Sequence, residues 1–220
     1  MVDAMRQEDV ADVVQVDRES AALPWPASAY RRELSSNSHA RYIVVRELDG
    51  PGEEEPADAP PSRSWLQVLP WRRGEERSKA PSRSLVIGYG GMWLVGDEAH
   101  ITILAVRTAY RGRGFGELIL ATLMETAMEM GSHWVTLEVR ASNHTAQQLY
   151  RKYAFHDAGR RRRYYSDNNE DALIMTTDDM TQARFLARFG ELREKLTQRL
   201  AANEAALDHA PAVVGASPGE

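Results

Sequence analysis

Six adjacent residues, Arg111, Gly112, Arg113, Gly114, Phe115 and Gly116, offer the clearest chemistry in the sequence. Three glycines within five residues let backbone N–H groups turn toward one point. The apolar periodicity that follows marks a helix, whose N-terminus adds partial positive charge at that point. With two arginines this is a cradle for a pyrophosphate, although a plain strand-to-helix turn reads the same way in isolation. It is not a P-loop, because the Gly-Lys-Ser/Thr ending is missing, and its glycine spacing is not the dinucleotide fingerprint. Glu138 stands in a strand-like run, Trp134, Val135, Thr136, Leu137, Glu138, Val139 and Arg140. Alternation puts it on one face with Trp134 and Thr136, amid apolar neighbours. A carboxylate so flanked suits a general base; a surface glutamate paired with Arg140, its same-face neighbour, is the plainer reading. Tyr150 shares a helical face with Ala146, where a core tyrosine is ordinary, while a phenol with a reference pKa of about 10 also suits a proton donor.

The same accounting closes other chemistries. Arg160, Arg161, Arg162 and Arg163, followed by Tyr164 and Tyr165, read either as a basic-aromatic nucleic-acid surface or as a solvated connection into a hairpin. His39, His100, His133, His144, His156 and His209 show no metal-ligand spacing and read as structural or surface residues, so no metal is expected. Cysteine is absent, which excludes a disulfide scaffold, a thiolate zinc site and an acyl-cysteine intermediate. The formal net charge of −5 gives no long-range attraction to DNA or RNA from the whole molecule. No run of 18 apolar residues exists and the first ten residues carry charge, so neither a membrane span nor a secretory signal is expected, and a cytoplasmic protein is the starting point.

The elements that must position these residues follow from periodicity. Val10, Val13 and Val14 mark a helix from near Gln7, broken by Pro24, Trp25 and Pro26, with a second short helix over 27–34 that turns Tyr30 and Leu34 inward. Residues 41–48, 84–95 and 100–107 read as strands, the last two joined by a turn at Gly96, Asp97 and Glu98. A helix runs from the glycine turn to Gly131. The strand at 134–140, a helix at 144–153 and further strands follow. Two segments stand apart. Residues 49–84 hold six of the ten prolines and read as a disordered insert between neighbouring antiparallel strands. Inside them Trp65 to Trp71 forms an apolar island, either a docking motif or a loosely resting loop. In the tail, Phe185, Phe189, Leu192, Leu196 and Leu200 recur at helical spacing, with Asp178 or Asp179 as cap, so 178–209 reads as an amphipathic helix and 210–220 as frayed. That leaves one domain over 1–177.

Taken together, Pro24-Trp25, the run Asp97 to Thr102, Ala105-Val106, Arg111-x-x-Gly114-x-Gly116, Leu137-Glu138-Val139-Arg140, Ser142-Asn143, Leu149-Tyr150, Arg161-x-x-Tyr164-Tyr165 and Glu170-Asp171-Ala172 make the sequence resemble the GNAT acetyltransferase superfamily. Within it the resemblance is to the RimI type, the ribosomal-protein-alanine N-acetyltransferases. It implies an α+β fold with a mixed, mostly antiparallel, splayed sheet and helices on both faces. It implies acetyl-CoA as co-substrate. The pantetheine arm would lie along Leu104, Ala105 and Val106, where a bulge frees an N–H. The pyrophosphate would rest on Arg111, Gly112, Arg113, Gly114, Phe115, Gly116 and Glu117, and Asn143 would bond further along.

By the same resemblance, Glu138 is the general base and Tyr150 the general acid. Trp25, Tyr164 and Tyr165 line the acceptor-peptide groove. The acceptor would be the N-terminal alanine of small-subunit ribosomal protein eighteen, with contact to ribosomal RNA through Arg160 to Arg163 left open. The alternatives are an acetyltransferase for lysine side chains or small amines, and a CoA- or partner-binding module without turnover. One position departs from the family: Ala154 stands where a glycine is usual, and alanine fits there only if its φ stays negative.

Overall fold

The computed structural model describes residues 1–20, 24–47 and 85–208, with side chains to residue 203. The insert at 49–84, its tryptophan island and the last residues 209–220 lie outside the described part. Seven strands form one sheet in the order β1-β2-β3-β4-β5-β7-β6. In chain order the elements are β1 (Val2–Ala4), α1 (Val10–Ser20), α2 (Ala27–Ser36), β2 (Ala40–Arg46), β3 (Val86–Val95), β4 (Glu98–Val106), α3 (Phe115–Glu129), β5 (Trp134–Arg140), α4 (His144–Lys152), β6 (Phe155–Tyr165), β7 (Glu170–Thr177) and α5 (Ala183–Asp208). The fold is α+β, as the sequence implied. Every strand pair is antiparallel except β4 with β5. Three residues at the N-terminus, too few to show alternation, add the edge strand β1 beside β2.

Alternation along the strands feeds two cores. On β2, Ile43 and Val45 enter the layer under α3, while Tyr42 and Val44 enter the layer under α1 and α2. Val10, Val13 and Val16 of α1 are fully buried, as is Tyr30 of α2. Helix α3 is buried from Leu118 to Met124 because it is covered on both sides. It sits so close to β3 that a Cβ on Gly90 would lie 2.5 Å from Ile119 Cγ2, so only glycine fits there. The chain leaves β2 and re-enters β3 at adjacent points, where Glu47 N–H bonds the Leu85 carbonyl at 3.0 Å.

Helix α5 lies on α3. Phe185, Phe189, Leu196 and Leu200 are buried, Leu192 is half-buried, and Phe189 meets Tyr153 edge-on at 5.9 Å. Arg193 forks onto both oxygens of Glu125, at 2.6 and 2.8 Å. Four such side chains each gain about 1.5–3 kcal/mol from burial, which holds the helix against the domain. Asp179 does not cap the helix directly. Its carboxylate accepts from the N–H and hydroxyl of Thr181, a turn that precedes the first helical residue, Ala183. No helix among the described residues is long and apolar enough to cross a membrane.

Ala154 corrects an expectation. It ends α4 with φ +63°, in the left-handed region, its N–H bonded to the Arg151 carbonyl at 3.1 Å. The connection to β6 fixes the turn, so alanine carries strain that glycine would not. Ala154→Gly is expected to stabilise the fold by about 1 kcal/mol. That raises the melting temperature by about 2–4 °C in a thermal melt. A lower melting temperature would show that the left-handed turn is not strained.

Candidate active site

The site begins where β4 and β5 part. Their parallel pairing runs from Glu98 opposite Trp134 to Ile101 opposite Leu137 and stops there. Beyond it β4 continues to Val106, still paired with β3 on its other edge, and β5 continues to Arg140, still paired with β7. Between them is a wedge whose β4 side is the edge of Leu104, Ala105 and Val106 that is not paired with β3, with the Val106 carbonyl already accepting from Ser20 and Arg111. The bulge expected in this strand lies earlier: Gly91 pairs with Ile103 and Met92 with Ile101, so Thr102 is the extra residue. Its hydroxyl bonds the Gly91 carbonyl at 3.3 Å.

The end of β4 leads into the glycine turn. Gly112 has φ +75° and Gly114 φ +96°, conformations that need glycine, and Gly114 is the N-cap of α3. A Cβ on Gly112 would meet nothing within 4 Å, so that side of the turn is open to a ligand. The arginines are partly committed. Arg111 folds back onto the Val106 carbonyl, Nε to O 3.1 Å, and onto Ser20. Arg113 lies over the Tyr110 and Phe115 rings at 5.2 and 5.7 Å.

Glu138 is the first β5 residue past the last β4–β5 pair, and its carboxyl is nearly buried. It does not pair with Arg140, whose guanidinium goes to Asp167 and Glu170 and stacks on the Tyr165 ring at 3.8 Å. Nor is it surrounded by apolar groups. Oε2 faces His100 Nε2 at 2.9 Å and Oε1 accepts from Arg161 at 3.0 Å. His100, read from sequence as structural or surface, is therefore a partner of the site. Its Nδ1 is 2.9 Å from Thr136 Oγ1, which is 2.6 Å from Glu98 Oε1. The one hydroxyl proton of Thr136 serves the Glu98 carboxylate, so His100 Nδ1 carries a proton toward Thr136. A proton is then needed on the line between Nε2 and Glu138. The tautomer is assigned from this network.

Tyr150 is buried beside Phe155, ring centroids 5.7 Å apart, and its hydroxyl makes no hydrogen bond among the described residues. Burial, then the nearby Tyr165, pushes its pKa up to about 12, so it is a phenol at neutral pH. Burial likewise pushes Tyr165 up to about 12, with Glu138 among the lesser contributors, so Tyr165 lies in the field of both groups. Tyr164 is exposed and meets Tyr165 edge-on. Trp25 lies in the α1–α2 connection: its backbone N–H bonds the buried Asp17 at 2.7 Å and its ring leans on Tyr30. Asp17 also accepts from the Tyr30 hydroxyl.

Asn143 uses Oδ1 to cap α4, accepting from Ala146 N–H at 3.1 Å, which leaves its amide N–H groups as donors. The turn that carries it is gripped by Glu170, which accepts from Ser142 N–H at 2.7 Å and from Arg140 at 3.3 Å. Of the four arginines, Arg160 pairs with Asp171 and Arg161 with Glu138. No group of three metal-ligating side chains occurs among the described residues.

The profile of the acetyltransferase (GNAT) family matches residues 17–155. The chain belongs to this family. Among relatives of this GNAT chain, a putative [ribosomal protein bS18]-alanine N-acetyltransferase of Bacillus subtilis is 34% identical over 171 residues, 78% of this chain and 90% of the relative. The N-alpha-acetyltransferase RimI of Mycobacterium tuberculosis is 30% identical over 159 residues, 70% of this chain and 76% of the relative. The crystal structure of the Escherichia coli ribosomal-protein-S18-alanine N-acetyltransferase superposes with a TM-score of 0.61 at 21% identity, covering 83% of this chain and 95% of that one. The NatC complex bound to Gag peptide and CoA shares the fold, with a TM-score of 0.56, 18% identity, and 81% and 97% of the two chains covered.

The bonds from Ser142, first, and then from Asn168 and Arg140 outweigh desolvation and hold the Glu170 carboxyl at about 2, below its ordinary 4.5. A depressed value means that its stabilisation is complete above pH 4.5 and is lost as pH falls toward about 2. Glu170→Gln is expected to flatten the fall of melting temperature in that window. Equal slopes for the two proteins in calorimetry would show that the grip on Ser142 contributes nothing.

Proposed function

We propose that the protein transfers the acetyl group of acetyl-CoA to the α-amine of a protein beginning with alanine, the acceptor being the ribosomal protein in the name of its Bacillus subtilis relative. The observation that carries this reading is Glu138, the first residue beyond the β4–β5 pairing, bonded to His100 within the wedge. The cytoplasm, where such a substrate is made, is the matching location.

The donor site fits the chain's own groups. Backbone groups of Leu104, Ala105 and Val106 line one side of the wedge for a pantetheine amide chain. Gly112 to Glu117 present N–H groups at the head of α3 for the pyrophosphate. Asn143 donates from the opposite side. Acetyl-CoA supplies the activated acetyl group. Trp25, Tyr164 and Tyr165 border the acceptor.

An α-ammonium group, with a reference pKa of about 8, must lose a proton before it can attack. Glu138 takes that proton, directly or through one water. The proton that the hydrogen bonds place between His100 Nε2 and Glu138 must move outward before Glu138 can accept another, and the bonded chain through His100 Nδ1 gives it a route. From there Thr136 and Glu98 lead to the surface. Tyr150 gives its hydroxyl proton to the departing thiolate. Of the three ammonium protons, one stays on the new amide, one restores Tyr150 and one leaves through Glu138. The transfer is direct, since the chain has no cysteine to carry the acetyl group.

Two measurements test this. Acetyl-CoA with peptides starting in Ala, Ser or Met, or carrying an internal Lys, should release thiol fastest with the Ala peptide. Preference for internal Lys would make it a lysine acetyltransferase, and no release over the panel would leave a binding module. Glu138→Gln should lower kcat by about 10²-fold or more with CoA affinity near wild type. An unchanged rate would remove Glu138 as base.

A further inference from the structure

The head of α3 contains an acid that works against anion binding. Glu117 lies in the first helical turn, where a carboxylate competes with a bound anion for the same N–H groups and repels it. The fold ties this carboxylate away. Oε1 accepts from Lys152 Nζ at 2.5 Å and from the Tyr153 hydroxyl at 2.9 Å. Oε2 accepts from Arg199 Nη2 at 2.6 Å. Burial opposes ionisation, but these bonds outweigh it and hold the carboxyl below the ordinary range. One anion and two cations leave one net positive charge beside the glycine turn.

Arg199 comes from α5, and the residues around it fasten the turn itself. Leu200 packs against Gly114, so closely that an added Cβ there would lie 3.0 Å from Leu200 Cδ2 and 3.4 Å from Arg199 Nη2. Asn203, four residues after Arg199, donates to the Arg113 carbonyl at 3.4 Å. Further back, Arg193 grips Glu125, so α5 runs antiparallel to α3 with an ion pair at each end of the contact. A turn with three glycines in five residues loses much conformational freedom when it orders on an anion. Here α5 has ordered it beforehand.

We propose that α5 is a clamp on the phosphate-binding turn and that Arg199 is a positioning residue for the pyrophosphate of the donor. Arg199 cancels Glu117, while Leu200 and Asn203 beside it on α5 hold Gly114 and Arg113 in their anion-binding form. This rests on the donor site described under the proposed function. It predicts an effect confined to donors that carry the pyrophosphate.

The test compares acetyl-CoA with S-acetyl-pantetheine, which lacks both pyrophosphate and nucleotide, in the full-length chain. Arg199→Ala should weaken CoA binding in calorimetry, and raise KM for acetyl-CoA, by about tenfold, the loss of one charge-assisted hydrogen bond. The kcat at saturation and the KM for S-acetyl-pantetheine should not change, and Arg199→Lys should recover most of the loss. CoA affinity within twofold of wild type, tighter binding, or equal weakening of both donors would overturn the clamp. If Arg199→Ala does not fold, Asn203→Ala decides by the same readings, expected smaller. Wild-type protein that binds no CoA would instead overturn the donor site itself.

Discussion

The parting of β4 from β5 is the constraint on which the site depends. A parallel pair satisfies the backbone of both strands only as far as it lasts, and here it lasts four residues. Past Ile101 and Leu137 the two strands are held apart by different neighbours, β3 on one side and β7 on the other. The exposed edge of β4 then has peptide groups to offer. The backbone edge of β5 beyond Leu137 likewise faces a gap instead of a partner strand. Because the two strands are parallel, the glycine turn that follows β4 and the helix α4 that follows β5 both lie at the mouth of the gap, one beside each strand.

Most of this was legible before any coordinates. The strand 134–140 and the helices beginning near 7, 27, 115 and 144 stand where periodicity put them, because their apolar residues recur at the spacing of the element they form. The three residues of β1 carried no period and were missed. The site was legible in its parts but not in its contacts. Glu138 and His100 are 38 positions apart, and nothing in their spacing joins them. Only the parallel register that sets His100 opposite Thr136 brings its ring to the carboxylate two residues along. The alternation of Glu98 and His100 with Thr136 and Glu138, each pair polar amid apolar neighbours, was the signal available. Arg140, which alternation offered as the plainer partner of Glu138, goes instead to the β6–β7 hairpin, which the spacing along one strand does not show.

Several motifs that carried the family resemblance turn out to have holding roles. Glu170 accepts from the Ser142 N–H, and Asn143 caps α4. Asp171 anchors the hairpin through Arg163 N–H and Arg160. These bonds fix the flanks of the site to within a hydrogen-bond length, which proton transfer requires. The Ala154 turn shows the opposite case, a position where local strain is tolerated because the surrounding connections leave no other path.

Strand β6 is the outer edge of the sheet, eleven residues long, with a row of backbone groups on its free side. Such an edge is a template on which another chain can add a strand. Here it is lined by four successive arginines, its pairing with β7 is interrupted twice, and Arg163 bends out at φ +51°. Two chains approaching edge to edge would bring together eight guanidinium groups, half of them paired with carboxylates of their own chain, and find no straight register. An edge so charged and so irregular disfavours strand addition by a second copy.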